Sequence, residues 1–435
     1  MDHTPHRPVA LRRSGRPNAS RTDRPGTDDE LEGMTDSVDR IGGVVSGQDE
    51  LVGRAAAVRQ RLWEDAPVAD RDRRLTDRVI DSVVQAGLMR LLTPKRFGGY
   101  EADMRTFLDV TTELGRGCCS TAWVTGVLNV GNFVVSLFPS ATQDQVWSAD
   151  PDARSALVLG SASASIEPTA DGIYITGQWP YASGSLHADW VAVLVAIPAK
   201  AGPPEVNLAL IPINQVQLRD TWHFTGMRGT GSGTVDIHRA FVPRTHMLPF
   251  LPLFNGEADT VVEVWHPYRN SLAGLFSIGL IGPMIGSAET ALQYVLDQGG
   301  TRRVAFSHYS ELEQSPTFQL DVASAARKLE TAKLHARRIA DTVDENARTD
   351  HNPDLLTRSM LRMDSTYVAQ QCRETLDTLL TTYGSSAFNE TNPLQRIWRD
   401  INVASRHIAF GMGVPEQLYG RALIGQDPRA ISYLV

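Results

Sequence analysis

Apolar residues between about positions 48 and 150 recur every three to four residues, the period of a helix with one buried face. Val79, Val83, Val84, Leu88 and Leu91 share such a face; Gly87 marks where the helix gives way, and Pro94 stands beyond it. A second helical run covers residues 107–114. A third, nearly all apolar, covers 120–137, with Ser120 or Cys119 as its cap. From about 154 to 248 the period drops to two. Short strands are predicted over 173–176, 190–197, 206–213, 216–219 and 234–237, parted by Gly, Pro, Asn and Asp. Strands at this spacing predict a compact antiparallel barrel or sandwich. Helical spacing then returns over 260–298, 317–348, 354–383 and 392–413, with breaks at Gly299-Gly300, Asn352-Pro353 and Tyr383-Gly384. Four long helices in succession are what a helical bundle requires. The greasiest stretch, 272–284, is short and contains Gly274, Gly279, Gly282 and Pro283. It reads as a buried helix rather than a bilayer span, which takes roughly 18–20 apolar residues.

Residues 1–46 break the pattern. Arg7, Arg12, Arg13, Arg16, Arg21 and Arg24 precede Asp28, Asp29, Glu30, Glu32, Asp36 and Asp39, with few large apolar side chains among them. Such a segment buries too little surface to offset its ordering entropy and is predicted to be disordered. No apolar segment follows Arg12-Arg13, so the pair does not read as a twin-arginine export signal. The predicted division is therefore a tail over 1–46, an N-terminal α-helical domain over 47–152, a β domain (barrel or sandwich) over 153–250 and a C-terminal helical bundle over 251–435, an α+β fold.

Composition narrows the partners. The net charge of −8 argues against a nucleic-acid partner, which needs a basic face. Cys118, Cys119 and Cys372 have neither disulfide nor metal spacing, so no metal site is expected and a reducing, cytoplasmic setting is.

Four groups of residues carry more specific information. Leu88-Met89-Arg90-Leu91-Leu92-Thr93-Pro94 runs on to Phe97-Gly98-Gly99-Tyr100, and Cys119-Ser120-Thr121-Ala122-Trp123 opens the third helical run. Gly177-Gln178-Trp179-Pro180-Tyr181-Ala182-Ser183-Gly184 is followed by Gly226-Met227-Arg228-Gly229-Thr230-Gly231-Ser232 and Phe241-Val242-Pro243. Tyr383-Gly384-Ser385-Ser386 precedes a run from Arg396 to His407. In this order and spacing the groups resemble the acyl-CoA dehydrogenase fold, over about residues 50–430. More narrowly they resemble the two-component, group D flavin-dependent monooxygenases built on that fold.

The resemblance implies an N-terminal helical domain, a central antiparallel β-barrel and a C-terminal four-helix bundle. It implies an oxygenase component that takes reduced FMN or FAD from a separate NAD(P)H-dependent flavin reductase. With O2, through a flavin C4a-hydroperoxide, it would hydroxylate an aromatic or polycyclic small molecule, in secondary metabolism. A homotetramer without membrane attachment is implied as well.

Site residues follow from the same comparison. His407 stands beside Ile408, where some dehydrogenases of this layout carry their catalytic glutamate. An imidazole there would act as base or hydrogen-bond partner to substrate. Ser161 and Ser163 fall in the loop resembling the flavin-edge loop and are expected to help hold the oxygenated flavin. A strand would aim Trp179, Tyr181 and Ser183 to one face, towards the isoalloxazine. Arg228 and Thr230, in a Gly-rich turn, would hold a flavin phosphate. Arg303 resembles the arginine that reaches a neighbouring subunit's cofactor, and Ser385 joins the cofactor set. Trp123 and Asn132 are expected at the substrate; Asn132 lies where many phenol hydroxylases carry a second histidine. His266 and Tyr268 would either reach the substrate or cap a helix start. Three readings compete with aromatic hydroxylation: amino-sugar N-oxygenation, acyl-CoA dehydrogenation with Glu374 or Glu390 as base, and a non-catalytic flavin-binding scaffold.

Overall fold

The computed structural model describes residues 47–435, apart from 161–163, 200–201, 256, 264–265, 270–271 and 433. The tail expected over 1–46 and the loop serines Ser161 and Ser163 lie outside the described residues.

Helices α1 (Gly47–Asp72), α2 (Asp77–Gln85), α3 (Met104–Gly117), α4 (Cys119–Val135) and α5 (Ser140–Trp147) open the chain. Thr76 caps α2 by accepting from the Val79 amide, and Asp103 caps α3 by accepting from that of Thr106. Gly87, at φ +76°, turns the chain after α2, so Leu88 and Leu91 are buried beyond the helix rather than within it. Neither Ser120 nor Cys119 caps α4. Extended backbone at Cys118 separates it from α3, with no side-chain cap. Apart from Val127, every residue of α4 is buried.

Eight strands follow among the described residues: β1 (Ser155–Val158), β2 (Ala164–Pro168), β3 (Gly172–Trp179), β4 (Trp190–Ile197), β5 (Glu205–Pro212), β6 (Gln217–Arg219), β7 (Thr234–Pro243) and β8 (Met247–Pro249). They form two four-stranded sheets, ordered β1-β4-β5-β8 and β2-β3-β7-β6, antiparallel except for the parallel pair β1–β4. The expected barrel does not close. At the outer edge of β1 stands a helix, not another strand: Asn132 of α4 accepts from the Ser155 amide. A Cβ on Gly131 would lie 1.7 Å from the Ser155 carbonyl oxygen, so only glycine lets α4 come this close. Strands β1, β2 and β8 escaped the sequence pattern because none alternates: β1 ends in three apolar residues in a row, β2 has one large apolar side chain and β8 only three residues, whereas the equally short β6 alternates through Val216 and Leu218.

The rest is helical: α6 (Leu251–Asn255), α7 (Leu272–Asp297), α8 (Pro316–Arg348), α9 (Leu355–Tyr383), α10 (Pro393–Ala404) and α11 (Val414–Leu423). Helix α7 begins twelve residues later than the spacing predicts and is the buried axis: Leu275, Ile278, Ile281, Met284, Ala288 and Val295 are all enclosed. It packs on α3, α4, α8 and α9. Its stretch Gly274–Asp297 is long and apolar enough to cross a bilayer, yet 78% of its most apolar window is buried within the fold. The single helix predicted over 392–413 is two. Helix α10 stops at Ala404, and Met412 and Gly413, both at positive φ, turn the chain before α11.

Candidate functional site

The turn after α10 carries His407. The ring is half-buried and meets Trp123 of α4 edge-on, centroids 5.6 Å apart, and Phe410 at 6.1 Å. Two residues that the sequence placed at the catalytic centre and the substrate are thus neighbours. The Ala409 amide donates to Nδ1 of His407 at 3.3 Å. That contact puts the ring proton of the neutral imidazole on Nε2. Burial among apolar rings pushes the pKa down to about 4, so His407 is uncharged at neutral pH. His266 repeats the arrangement. Its Nδ1 accepts from the Tyr268 amide, it packs edge-on against Phe133 at 5.0 Å, and burial pushes its pKa to about 4. Tyr268 itself donates its hydroxyl to Asp344 and ties α8 to the segment before α7.

The strand alternation fails at Tyr181. Trp179 ends β3 fully buried, its Nε1 donating to the Leu194 carbonyl, so its ring belongs to the sheet core. Pro180 then ends the ladder, and Tyr181 adopts φ +63°, which turns its ring outward to 60% exposure. That ring stands edge-on to Trp222 and Phe224, themselves stacked 3.9 Å apart. The result is an open aromatic face where the sequence predicted three aligned side chains.

Beside it runs a chain of hydroxyls. Thr230 donates to the Met227 carbonyl at 2.7 Å and lies 2.7 Å from Ser232 Oγ, which lies 2.7 Å from Ser183 Oγ. With the Thr230 proton on Met227, the remaining contacts have one direction: Ser232 donates to Thr230 and Ser183 donates to Ser232. Ser183 is left presenting lone pairs, an acceptor. Ser232 went unnoticed in the sequence reading because nothing in a linear pattern shows it reaching Ser183.

Arg228 does not stand free for a phosphate. Its Nε donates to the Asp70 carbonyl at 2.7 Å and its Nη1 to that of Phe224 at 3.2 Å, tying the Gly-rich turn to the end of α1. Thr230 is likewise committed to the hydroxyl chain, with 1% of its surface exposed. Two residues of α10 hold the same turn from the other side. Asp400, buried, accepts from the Met227 amide at 2.6 Å, and Arg399 donates to the Thr225 carbonyl while pairing with Asp70 at 2.8 Å. Burial pushes the Asp400 carboxyl up to about 6. A small cavity beside it, lined by Trp63, Cys118, Cys119 and Arg396 among others, includes none of the candidate site residues.

Asn132 is a structural clamp instead of a substrate contact. Fully buried, it accepts from the Ser155 amide, and its two N–H groups are shared among the Met89 and Ala153 carbonyls and the Thr93 hydroxyl, which leaves no donor free. Arg303 and Ser385 are exposed, in neighbouring turns. They are bridged by Arg302, which stacks 3.7 Å over the Tyr383 ring and donates to Ser386. Among the described residues, no hydrogen bond or ring contact joins this surface to Tyr181, Ser183 or His407. Glu374 pairs with Gln370 and Lys328 on the outside of α9, and Glu390 is exposed. Neither carboxylate meets the Trp123–His407 pair.

Two helical flanks around a pair of sheets, with an imidazole at the junction of α4 and α10, define an acyl-CoA dehydrogenase-like chain. Residues 50–150 match the acyl-CoA dehydrogenase N-terminal domain and residues 278–412 its C-terminal domain. The chain belongs to the flavin-dependent monooxygenases of this fold. It is 32% identical to XiaF from Streptomyces sp., solved in complex with FADH2 and glycerol, covering 88% of this chain and 96% of that one at a TM-score of 0.83. The oxygenase component of the FADH2-dependent resorcinol hydroxylase of Rhizobium sp. (strain MTP-10005) is 29% identical over 87% of this chain and 95% of its own length. The oxygenase subunit HsaA of a flavin-dependent monooxygenase from Mycobacterium tuberculosis (strain ATCC 25618 / H37Rv) is 28% identical over 80% and 87% respectively.

Proposed function

We propose that this chain is the oxygenase component of a two-component monooxygenase that hydroxylates an aromatic small molecule, with His407 donating a hydrogen bond to the reacting substrate. One observation carries the reading: an uncharged imidazole, with Nδ1 occupied by a backbone amide, packs against Trp123, one residue before the position that resembles the catalytic glutamate of some dehydrogenases. Ile408 beside it has no proton-abstracting group, which speaks against thioester dehydrogenation from this position.

The residues fit a reduced flavin. Tyr181 and its aromatic neighbours offer a face for a planar ring, and Ser183 offers an acceptor suited to the N–H groups that reduced isoalloxazine carries. Reduced flavin, when bound, activates O2 and supplies the oxygen atom. The chain's own residues do the rest. Ser183, oriented through Ser232 and Thr230, fixes the ring edge; Trp123 and Phe410 keep water from His407; and Nε2–H of His407 aligns a phenolic or ring-nitrogen group of the substrate. The separate reductase, the homotetramer and the polycyclic character of the substrate follow from the family and remain part of the proposal. Three buried free thiols suit a reducing compartment such as the cytoplasm.

The test is anaerobic loading with FADH2 or FMNH2, mixing with O2, and product analysis over a panel of phenols, indoles and fused-ring aromatics. Hydroxylated product formed in step with oxygen consumption is expected. Reduction of oxidised flavin by an acyl-CoA without oxygen would overturn the reading in favour of dehydrogenation.

A further inference from the structure

Two arginines one turn apart on α9 carry charge into the protein, and among the described residues neither forms an ion pair with an acid. Arg358 is 8% exposed; its Nη1 donates to the Phe254 carbonyl in α6, and its buried Nε has no partner among the described residues. Arg362, four residues on and half-buried, donates from Nη1 to the Leu434 carbonyl. Burial pulls both guanidinium pKa values below their usual range; at Arg358 repulsion from Arg429 adds to this and attraction from Asp354 offsets only part of it. Of the nearby acids, Asp354 attracts Arg358 only at a distance while capping α9 by accepting from the Thr357 amide, and Asp427 pairs with Arg429. Elsewhere the inward-facing cations are answered. Arg116 meets Glu113 and Glu289, Arg269 meets Asp259 and Asp350, and Arg399 meets Asp70. Carbonyl oxygens satisfy N–H groups but leave the charge uncompensated, and a guanidinium cannot shed its proton to escape burial.

We propose that Arg358 and Arg362 form a binding site for an oxyanion, a carboxylate or phosphate group borne by a small molecule. Side chains four apart on a helix stand roughly 6 Å apart at Cβ, so two forks can close on one oxyanion from adjacent sides. The unpartnered Nε of Arg358 supplies a donor that nothing in the fold uses. The site stands independently of the flavin reading.

Two probes separate the possible sources, inorganic phosphate and benzoate, each measured against chloride at equal ionic strength. Calorimetric titration of the full chain is expected to show saturable binding of at least one. The tighter arm names the ligand class. Arg358→Met and Arg362→Met each weaken that binding tenfold or more, and Arg358→Lys retains part of it. In chloride buffer Arg358→Met melts at or above the wild-type temperature, because the uncompensated charge is gone. Absence of saturable binding by either probe, or equal binding to the Arg358→Met protein, overturns the proposal. So does a lower melting temperature of Arg358→Met in chloride, which would make the guanidinium only a clamp on the Phe254 carbonyl.

Discussion

A backbone amide decides what His407 offers. Because Ala409 occupies Nδ1, the free edge of the ring is a donor, and because burial holds the pKa near 4, it stays so across the working range. His407→Ala is expected to abolish product while reduced flavin still binds and still consumes oxygen as peroxide; product analysis beside an oxygen electrode checks this. The pH profile of coupled hydroxylation should lack an inflection near the ordinary imidazole value of about 6.5. The folded pKa lies below the unfolded one, so protonation of the unfolded chain erodes stability progressively as pH falls from about 6.5 towards 4. The melting temperature of wild type should therefore drop more than that of His407→Ala over that interval. A second residue-scale prediction concerns Ser232. Replacing it with Ala releases the Ser183 hydroxyl to rotate, which should weaken reduced-flavin binding roughly fivefold, about the worth of one hydrogen bond. Oxidised flavin, lacking the N5 proton, should be less affected, and Ser232→Thr should restore the preference. Equal loss for both redox states in a fluorescence titration would make Ser232 a packing residue only.

Between elements, the decisive contacts join α10 to the 226–232 turn and α1. Asp400 reaches the Met227 amide across 173 residues of sequence, and Arg399 reaches Asp70 across 329. Periodicity could not reveal them. It found the long helices because each repeats its buried face over several turns, and it found the longer strands because alternation persists in them. It lost β1, β2 and β8 for want of alternation, and it aligned Trp179 with Tyr181 because nothing in the pattern shows the positive φ that parts them. His407 and Trp123 were legible only through family resemblance, since their contact depends on how α10 crosses α4. The buried Asp400 yields a testable pH effect. Its folded pKa of about 6 lies above the ordinary carboxylate value, so its ionised form opposes folding above pH 6 and protonation relieves that cost between pH 6 and about 4. Asp400→Asn keeps an oxygen for the Met227 amide without the charge. It should match or exceed wild-type melting temperature at pH 7.5, with the difference shrinking below pH 6 and gone by about pH 4. A large loss of stability at pH 7.5 would mean that the charge itself, facing Arg396 and Arg399, holds the turn.

At the scale of the whole molecule, the candidate cofactor residues fall into two sets on one chain. Tyr181 and Ser183 belong to the strand end near Trp222, whereas Arg303 and Ser385 share an exposed surface with the Arg302–Tyr383 stack. Nothing described connects them. If both sets hold one flavin and the second comes from another copy, that copy would also cover apolar side chains that the single chain leaves open, such as Phe306, Phe388 and Met412. Subunit mixing tests this directly. Ser183→Ala and Arg303→Glu proteins should each bind reduced flavin poorly. Co-expressed, they should regain about a quarter of the wild-type capacity, because random pairing gives half the dimers one chain of each kind and each such dimer has one site free of both changes. Recovery in a separated heterodimer should rise to about half. A heterodimer no better than either parent would place all flavin contacts within one chain and leave Arg303 and Ser385 without a part in them.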